Sequence, residues 1–291
     1  MPRRRIEPPA SCKVYTPLNL ATAMVDTIRS DDAQEWLEPS VGRGVFLNAL
    51  RAGGTTPDRV VAVDLDSTPS HNDKLATVYR GVDFLQWSSS CESKFDCVVG
   101  NPPYVPIRSL PSALRKNAAE VPDENGRPIG LSANTWYAFV LRSMDLLRRG
   151  GNLALVLPSS CEYANYCRPG RDSITAHFGR VDLIRSRRPL FDNVQEGAAI
   201  LVCRNKCRPG GSFRRHEVDD LRAVVKRLGQ LANYRARPCP KGEVHRADSD
   251  VLLSTLAHIG LGGVTGDARY FALSESRRKE LGIPLRAVGL S

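Results

Sequence analysis

The sequence predicts an α/β fold: a mostly parallel sheet with helices on both faces, plus a short C-terminal extension. Short apolar runs such as Val60-Val61-Ala62-Val63 and Cys97-Val98-Val99 lack the polar alternation of a half-exposed strand, as strands covered on both faces do. These runs close in a polar residue or a glycine, at the edge where open α/β sheets bind ligands. Helix-like stretches separate them, and 291 residues hold one large α/β domain and little more.

Taken in order, Lys13 to Leu20 leads into a helix-like stretch from Ala21 to Ile28. The run Trp36-Leu37-Glu38-Pro39-Ser40-Val41-Gly42-Arg43-Gly44-Val45-Phe46-Leu47 reads as strand, glycine loop and helix. Gly42 and Gly44 let the backbone approach a ligand closely, and the helix that follows offers its N-terminus there. Arg59 to Asp64 is a second strand that ends in a carboxylate suited to the two hydroxyls of a ribose. A cap or turn role for Asp64 is the plainer alternative. Gly81-Val82-Asp83-Phe84-Leu85 ends a third strand in an acid and a ring, suited to an aromatic amine and its face.

The most informative stretch is Phe95-Asp96-Cys97-Val98-Val99-Gly100-Asn101-Pro102-Pro103-Tyr104. Asn101 falls at the carboxyl end of a buried strand. Pro102 holds Asn101 to extended backbone angles, and neither Pro102 nor Pro103 offers an N–H. An acceptor-rich corner results. The Asn101 side-chain oxygen and the Pro102 carbonyl could take the two N–H groups of an exocyclic amine and stabilise positive charge growing on its nitrogen. Tyr104 adds a stacking face. As an alternative, the tetrapeptide is a proline-rich turn.

Together the Glu-Pro-Ser-x-Gly-x-Gly-x-Phe loop, Asp64, Asp83-Phe84 and Asn-Pro-Pro-Tyr resemble, in this order, the S-adenosylmethionine-dependent N6-adenine DNA methyltransferases. The order is that of the gamma class, found in restriction-modification enzymes. The resemblance covers residues 13–205 and implies a Rossmann-like class I methyltransferase fold with S-adenosylmethionine as cofactor. It also assigns roles. Thr16, Pro17, Glu38 and Gly42 would meet the methionine end of the cofactor, with Ser40 and Gly44 in the same loop. Asp64 would meet the ribose, and Asp83 with Phe84 the adenine.

Downstream, Asn134-Thr135-Trp136-Tyr137-Ala138-Phe139 opens an amphipathic helix running to about Arg149, capped by Gly150-Gly151, with a strand from Leu153 to Leu157 after it. Trp136 and Phe139 read as core residues of that helix. Phe191 precedes the strand Ala198 to Cys203, where the resemblance places an aromatic that stacks on an extruded base; ordinary packing is the alternative.

Residues 1–12 read as a basic arm, 13–205 as the methyltransferase domain, 206–248 as a basic linker and 249–291 as a partial target-recognition region. From Arg204 to Asp248 the chain holds 12 Lys or Arg and 5 Asp or Glu, a net of +7 out of the chain's +10. Such a stretch suits DNA phosphates as well as a solvated linker. The tail resembles the opening of a target-recognition region, which suggests a truncated product or half of a split enzyme.

The eight cysteines are scattered, which argues against a disulfide framework and for a reducing cytoplasm. Cys203, Cys207, Cys239 and His245 match no ordinary zinc spacing. No apolar run approaches the roughly 20 residues of a membrane span, so no membrane association is expected.

The expected partners are double-stranded DNA and a separate recognition subunit or cognate restriction enzyme. The expected reaction is in-line methyl transfer to a flipped adenine, which requires no metal. The alternatives are methylation of protein glutamine or RNA guanine, and a catalytically incomplete DNA-binding subunit.

Overall fold

The apolar runs become the central strands of one sheet. The structure, a computed structural model, describes residues 16–30, 34–162, 174–191, 197–207 and 211–233. The chain divides into two compact units, 1–244 and 245–291, and every described residue belongs to the first. The basic arm 1–12 and the region 249–291 lie outside the described residues.

The strands are β1 (Trp36–Glu38), β2 (Val60–Asp64), β3 (Thr77–Arg80), β4 (Phe95–Gly100), β5 (Leu147–Pro158), β6 (Phe178–Ser186), β7 (Ala198–Lys206) and β8 (Ser212–Val218). They form an eight-stranded sheet in the order β3-β2-β1-β4-β5-β7-β6-β8. Only β7 runs against its neighbours β5 and β6; the other pairings are parallel. The mostly parallel arrangement agrees with the sequence reading.

Helices cover both faces, and alternate side chains of each strand enter two cores. On one side α3 (Phe84–Ser90), α4 (Ser112–Ala119) and α5 (Thr135–Leu146) pack over Leu153, Leu155 and Leu157 of β5. On the other, α1 (Leu18–Ile28), α2 (Val45–Ala52) and α6 (Leu221–Ala232) pack over Ala154 and Val156. This two-sided burial explains why β5 reads as a continuous apolar run. No helix among the described residues is long and apolar enough to cross a membrane.

Two expectations need correction. The helix opened by Asn134 ends at Leu146, not near Arg149, because from Leu147 the backbone pairs with β4. Arg148 then reaches Asp96 at 2.8 Å. Gly150, at φ 84°, sits in the register shift between β4 and β5 rather than in a helix cap. That helix is also buried almost all round, with Trp136 and Phe139 both in the core as expected.

The second correction concerns 206–248, expected as a linker. As far as residue 233 it belongs to the fold: β8 pairs in parallel with β6, and α6 follows. Val224, Leu228 and Leu231 lie at helical spacing and are buried, and the Thr27 hydroxyl of α1 donates to the Leu228 carbonyl at 3.0 Å. The Arg and Lys residues of the segment dominate its composition and mask this apolar stripe.

Candidate functional site

A cavity of about 640 Å³ opens where β1, β2 and β4 end, at the edge the sequence marked for ligands. Its lining includes Thr16, Glu38, Ser40, Gly42, Asp64, Asp83, Phe84, Asn101 and Pro103. Segments far apart in the chain thus converge as the sequence reading required. Pro17, Gly44, Pro102 and Tyr104 are not among the lining residues. Phe191 does not line the cavity. It is buried in the core beside α1, α2 and α6, in the same cluster as Leu190.

The glycine loop is shaped by its own backbone. Gly42 has φ 50° with open space where a Cβ would stand, so its backbone conformation demands glycine and its surroundings leave room for a ligand. Gly44 has φ 76°, and a Cβ there would lie 2.8 Å from the Asn72 side chain. Asn72 is buried and donates from Nδ2 to the Arg43 carbonyl at 2.8 Å, which pins the loop.

Glu38 is fully buried at the end of β1, and neither carboxylate oxygen has a hydrogen-bond partner among the described residues. Burial pushes its carboxyl well above the usual carboxylate range; the Asp64 charge adds to this and Arg80 opposes it. A buried carboxylate without donors is costly unless a ligand supplies them. A ligand carrying a cationic or strongly donating group would satisfy both oxygens.

Asp64 ends β2 and accepts from the N–H of Gly42 at 2.5 Å and of Asp66 at 2.7 Å. Burial raises its pKa, and those two N–H groups together with Arg80 work against the rise. Arg80 was not singled out from the sequence. It ends β3, holds Asp73 through Nη2 at 2.7 Å, contacts the Gly42 carbonyl at 3.2 Å and stands 3.8 Å from Asp64. The sequence offers no signal for this link, because it depends on how the chain between β2 and β3 folds back over the glycine loop.

Asp83 caps α3 rather than ending a strand. Its Oδ1 accepts from the Leu85 N–H at 3.1 Å and its Oδ2 from Asn117 Nδ2 at 2.8 Å. Desolvation raises its pKa, while Asn117 and the Leu85 and Gln86 N–H groups oppose that rise. Beside it, the Phe84 ring lies 4.8 Å from that of Phe139, and both rings line the cavity.

The Asn-Pro-Pro-Tyr corner leaves β4 and is tied at several atoms. Asn101 Nδ2 donates to Thr16 Oγ1 at 3.3 Å, Asn101 Oδ1 accepts from the Tyr104 hydroxyl at 3.0 Å, and the Asn101 carbonyl accepts from Ser40 Oγ at 2.8 Å. Ser40 thereby joins the glycine loop to the corner. The Thr135 hydroxyl donates to the Pro103 carbonyl at 2.5 Å and accepts from the Val105 N–H at 3.0 Å. Thr135 follows the helix-capping Asn134, and its role here was not legible in the sequence.

Comparison with known proteins bears on the family likeness and the fold. Residues 58–179 match the family model of the Eco57I restriction-modification methylases. The chain is 32% identical over 158 residues to the type II methyltransferase M.TthHB8I of Thermus thermophilus, covering 51% of this chain and 35% of that protein. It is 25% identical over 292 residues to M.VspI of Vibrio sp., covering 90% of this chain and 67% of that one. The chain thus spans about a third of the first relative's length.

Among solved structures, a Streptococcus thermophilus type I restriction-modification methyltransferase subunit superposes with a TM-score of 0.54 at 18% identity, over 76% of this chain and 53% of that one. A Listeria monocytogenes protein described as a class I S-adenosylmethionine-dependent methyltransferase gives 0.59 at 16%, over 78% and 73%. S-adenosylmethionine is the methyl donor that this fold implies, and the Glu38 carboxylate, without a hydrogen-bond partner among the described residues, the open Gly42 and the Phe84 ring fit it. The described unit therefore has the class I methyltransferase fold, and the chain resembles the Eco57I restriction-modification methylases over residues 58–179.

Proposed function

We propose that the chain methylates the exocyclic N6 of adenine in double-stranded DNA, as the modification component of a restriction-modification or defence system. The observation that carries this reading is the Asn101-Pro102-Pro103-Tyr104 corner at the end of β4, beside a cavity that holds a buried carboxylate with no hydrogen-bond partner among the described residues. S-adenosylmethionine, when bound, supplies an electrophilic methyl group on a sulfonium.

The chain's own residues divide the remaining work. Glu38 would receive the ammonium of the methionine end, which offsets the cost of its burial. Thr16, Pro17, Ser40, Gly42 and Gly44 shape that end; Asp64 would take the ribose hydroxyls, and Asp83 with Phe84 the adenine.

The Asn101 side-chain oxygen and the Pro102 carbonyl would accept the two N–H groups of the target amine. They hold its nitrogen in line and draw charge from it as it gains the methyl and releases a proton to water. The target base must leave the duplex to reach this corner. Tyr104 would stack on it; Phe191, the other aromatic the resemblance offers for stacking, is buried and does not line the cavity. DNA recognition would come from a separate subunit or from residues beyond the described ones, with a cognate restriction enzyme as the companion activity.

The test is transfer of labelled methyl from S-adenosylmethionine to mixed-sequence duplex DNA, with nucleoside analysis and Asn101→Ala as control. N6-methyladenine that disappears in the variant is the expected result. Label in protein glutamine or RNA guanine and none in DNA would overturn the substrate, and cofactor binding without turnover would indicate a subunit incomplete for catalysis.

A further inference from the structure

The chain between the Asn-Pro-Pro-Tyr corner and α5 makes an excursion that leaves and returns at one point. Pro106 bridges to Asn134, and the Ile107 N–H donates to the Ala133 carbonyl at 3.0 Å. Between these anchors lies α4, packed against α3 and α5, with Ala118 fully buried. Leu110, Pro111 and Leu114 of this excursion line the cavity alongside Asp83 and Phe84. One turn on from Leu114, Asn117 stays out of the cavity but donates from Nδ2 to Asp83 Oδ2 at 2.8 Å.

We propose that Asn117 is a positioning residue that sets the cofactor site's preference for a 6-amino purine, acting through the Asp83 carboxylate. This rests on the reading of the cavity as a cofactor site whose adenine end is Asp83 and Phe84. The Leu85 N–H takes one lone pair of Oδ1 and Asn117 takes one of Oδ2, so both oxygens are fixed in place. A carboxylate accepts at about four lone-pair positions, and the Gln86 N–H also bonds to this one, so what remains is oriented by the donors already in place.

A carboxylate held in this way accepts from a 6-amino group and opposes a 6-oxo group, which would set one acceptor against another. Without Asn117 the carboxylate can turn or take up a proton, and a protonated acid donates to a 6-oxo group instead. Discrimination between the two purines should therefore depend on Asn117, although Asn117 touches neither.

The experiment is calorimetric titration of the full chain with S-adenosylmethionine and with its hypoxanthine counterpart, S-inosylmethionine, for wild type, Asn117→Ala and Asn117→Asp. Wild type should prefer the adenine form, and Asn117→Ala should reduce that preference about tenfold, the size of one hydrogen bond to a charged group. Asn117→Asp, which sets a second carboxylate beside Asp83, should reduce it at least as much. Melting curves without ligand confirm that the variants are folded.

A preference unchanged in both folded variants overturns the role of Asn117 while leaving the cofactor site intact. Wild-type protein that binds neither compound overturns the cofactor reading itself, and the inference with it.

Discussion

The Tyr104 hydroxyl donates to the Asn101 side-chain oxygen at 3.0 Å, so the tyrosine orients the amide proposed to meet the substrate amine. Tyr104 also packs, partly buried, against the core that holds Phe84 and Phe139. Tyr104→Phe keeps the ring and removes the donor, and should lower kcat about tenfold with cofactor Kd unchanged. Asn101→Ala should lower kcat by about 10²–10³. Single-turnover methyl transfer with parallel cofactor titration measures both. A Tyr104→Phe variant at full rate would leave only stacking as the function of this residue.

Glu38 carries a raised pKa, so its ionisation disfavours the folded state. The native state binds the extra proton between the unfolded and folded pKa values, and stability therefore falls as pH rises through that interval above 4.5. Glu38→Gln should accordingly raise the Tm of the ligand-free protein at neutral pH. It should also weaken S-adenosylmethionine by at least about tenfold, through loss of the charge proposed to meet the ammonium. A variant that lost stability and kept affinity would reassign Glu38 to the core.

Arg80 links three segments of the cofactor loop region, and its side chain is only 12% exposed. Arg80→Ala strips Asp73 and the Gly42 carbonyl of a charged donor and should cost about 2 kcal/mol in urea unfolding. It should raise the KM for the cofactor more than it lowers kcat, because the glycine loop it would displace is the part of the site proposed to meet the methyl donor rather than the amine. Arg80→Lys restores the charge without the two-pronged contact and should recover only part of the loss.

Leu228 is fully buried in α6, within the stretch whose composition reads as a linker. Leu228→Ala should destabilise the protein by about 3 kcal/mol, as deletion of a buried leucine does. Urea denaturation followed by circular dichroism checks this. A change under about 0.5 kcal/mol, typical of a surface site, would return the segment to linker status.

The parts of the site that were legible are those in which a residue type follows from its own short stretch of chain. Gly42 is required by a left-handed backbone angle, Asp64 and Asp83 are carboxylates beside a ligand edge, and Asn101 is confined by the proline after it. The illegible parts are pairings. Arg80 to Asp73, Asn117 to Asp83 and Thr135 to the Pro103 carbonyl join residues 7, 34 and 32 positions apart, and nothing local requires them. Phe191 shows the same limit from the other side: an aromatic proposed from its place in the chain is buried and does not line the cavity.

By itself the sequence determined the strand runs, the glycine loop and the acceptor corner, because backbone restriction and burial on both faces act on a few neighbouring residues at a time. Only the tertiary structure decided that the basic stretch after Lys206 completes the sheet with β8 and α6, and which donors reach each buried carboxylate. These outcomes depend on surfaces meeting after the chain has closed on itself. A hydrogen bond to a buried acid is set by where two distant segments come to rest, which no local pattern encodes.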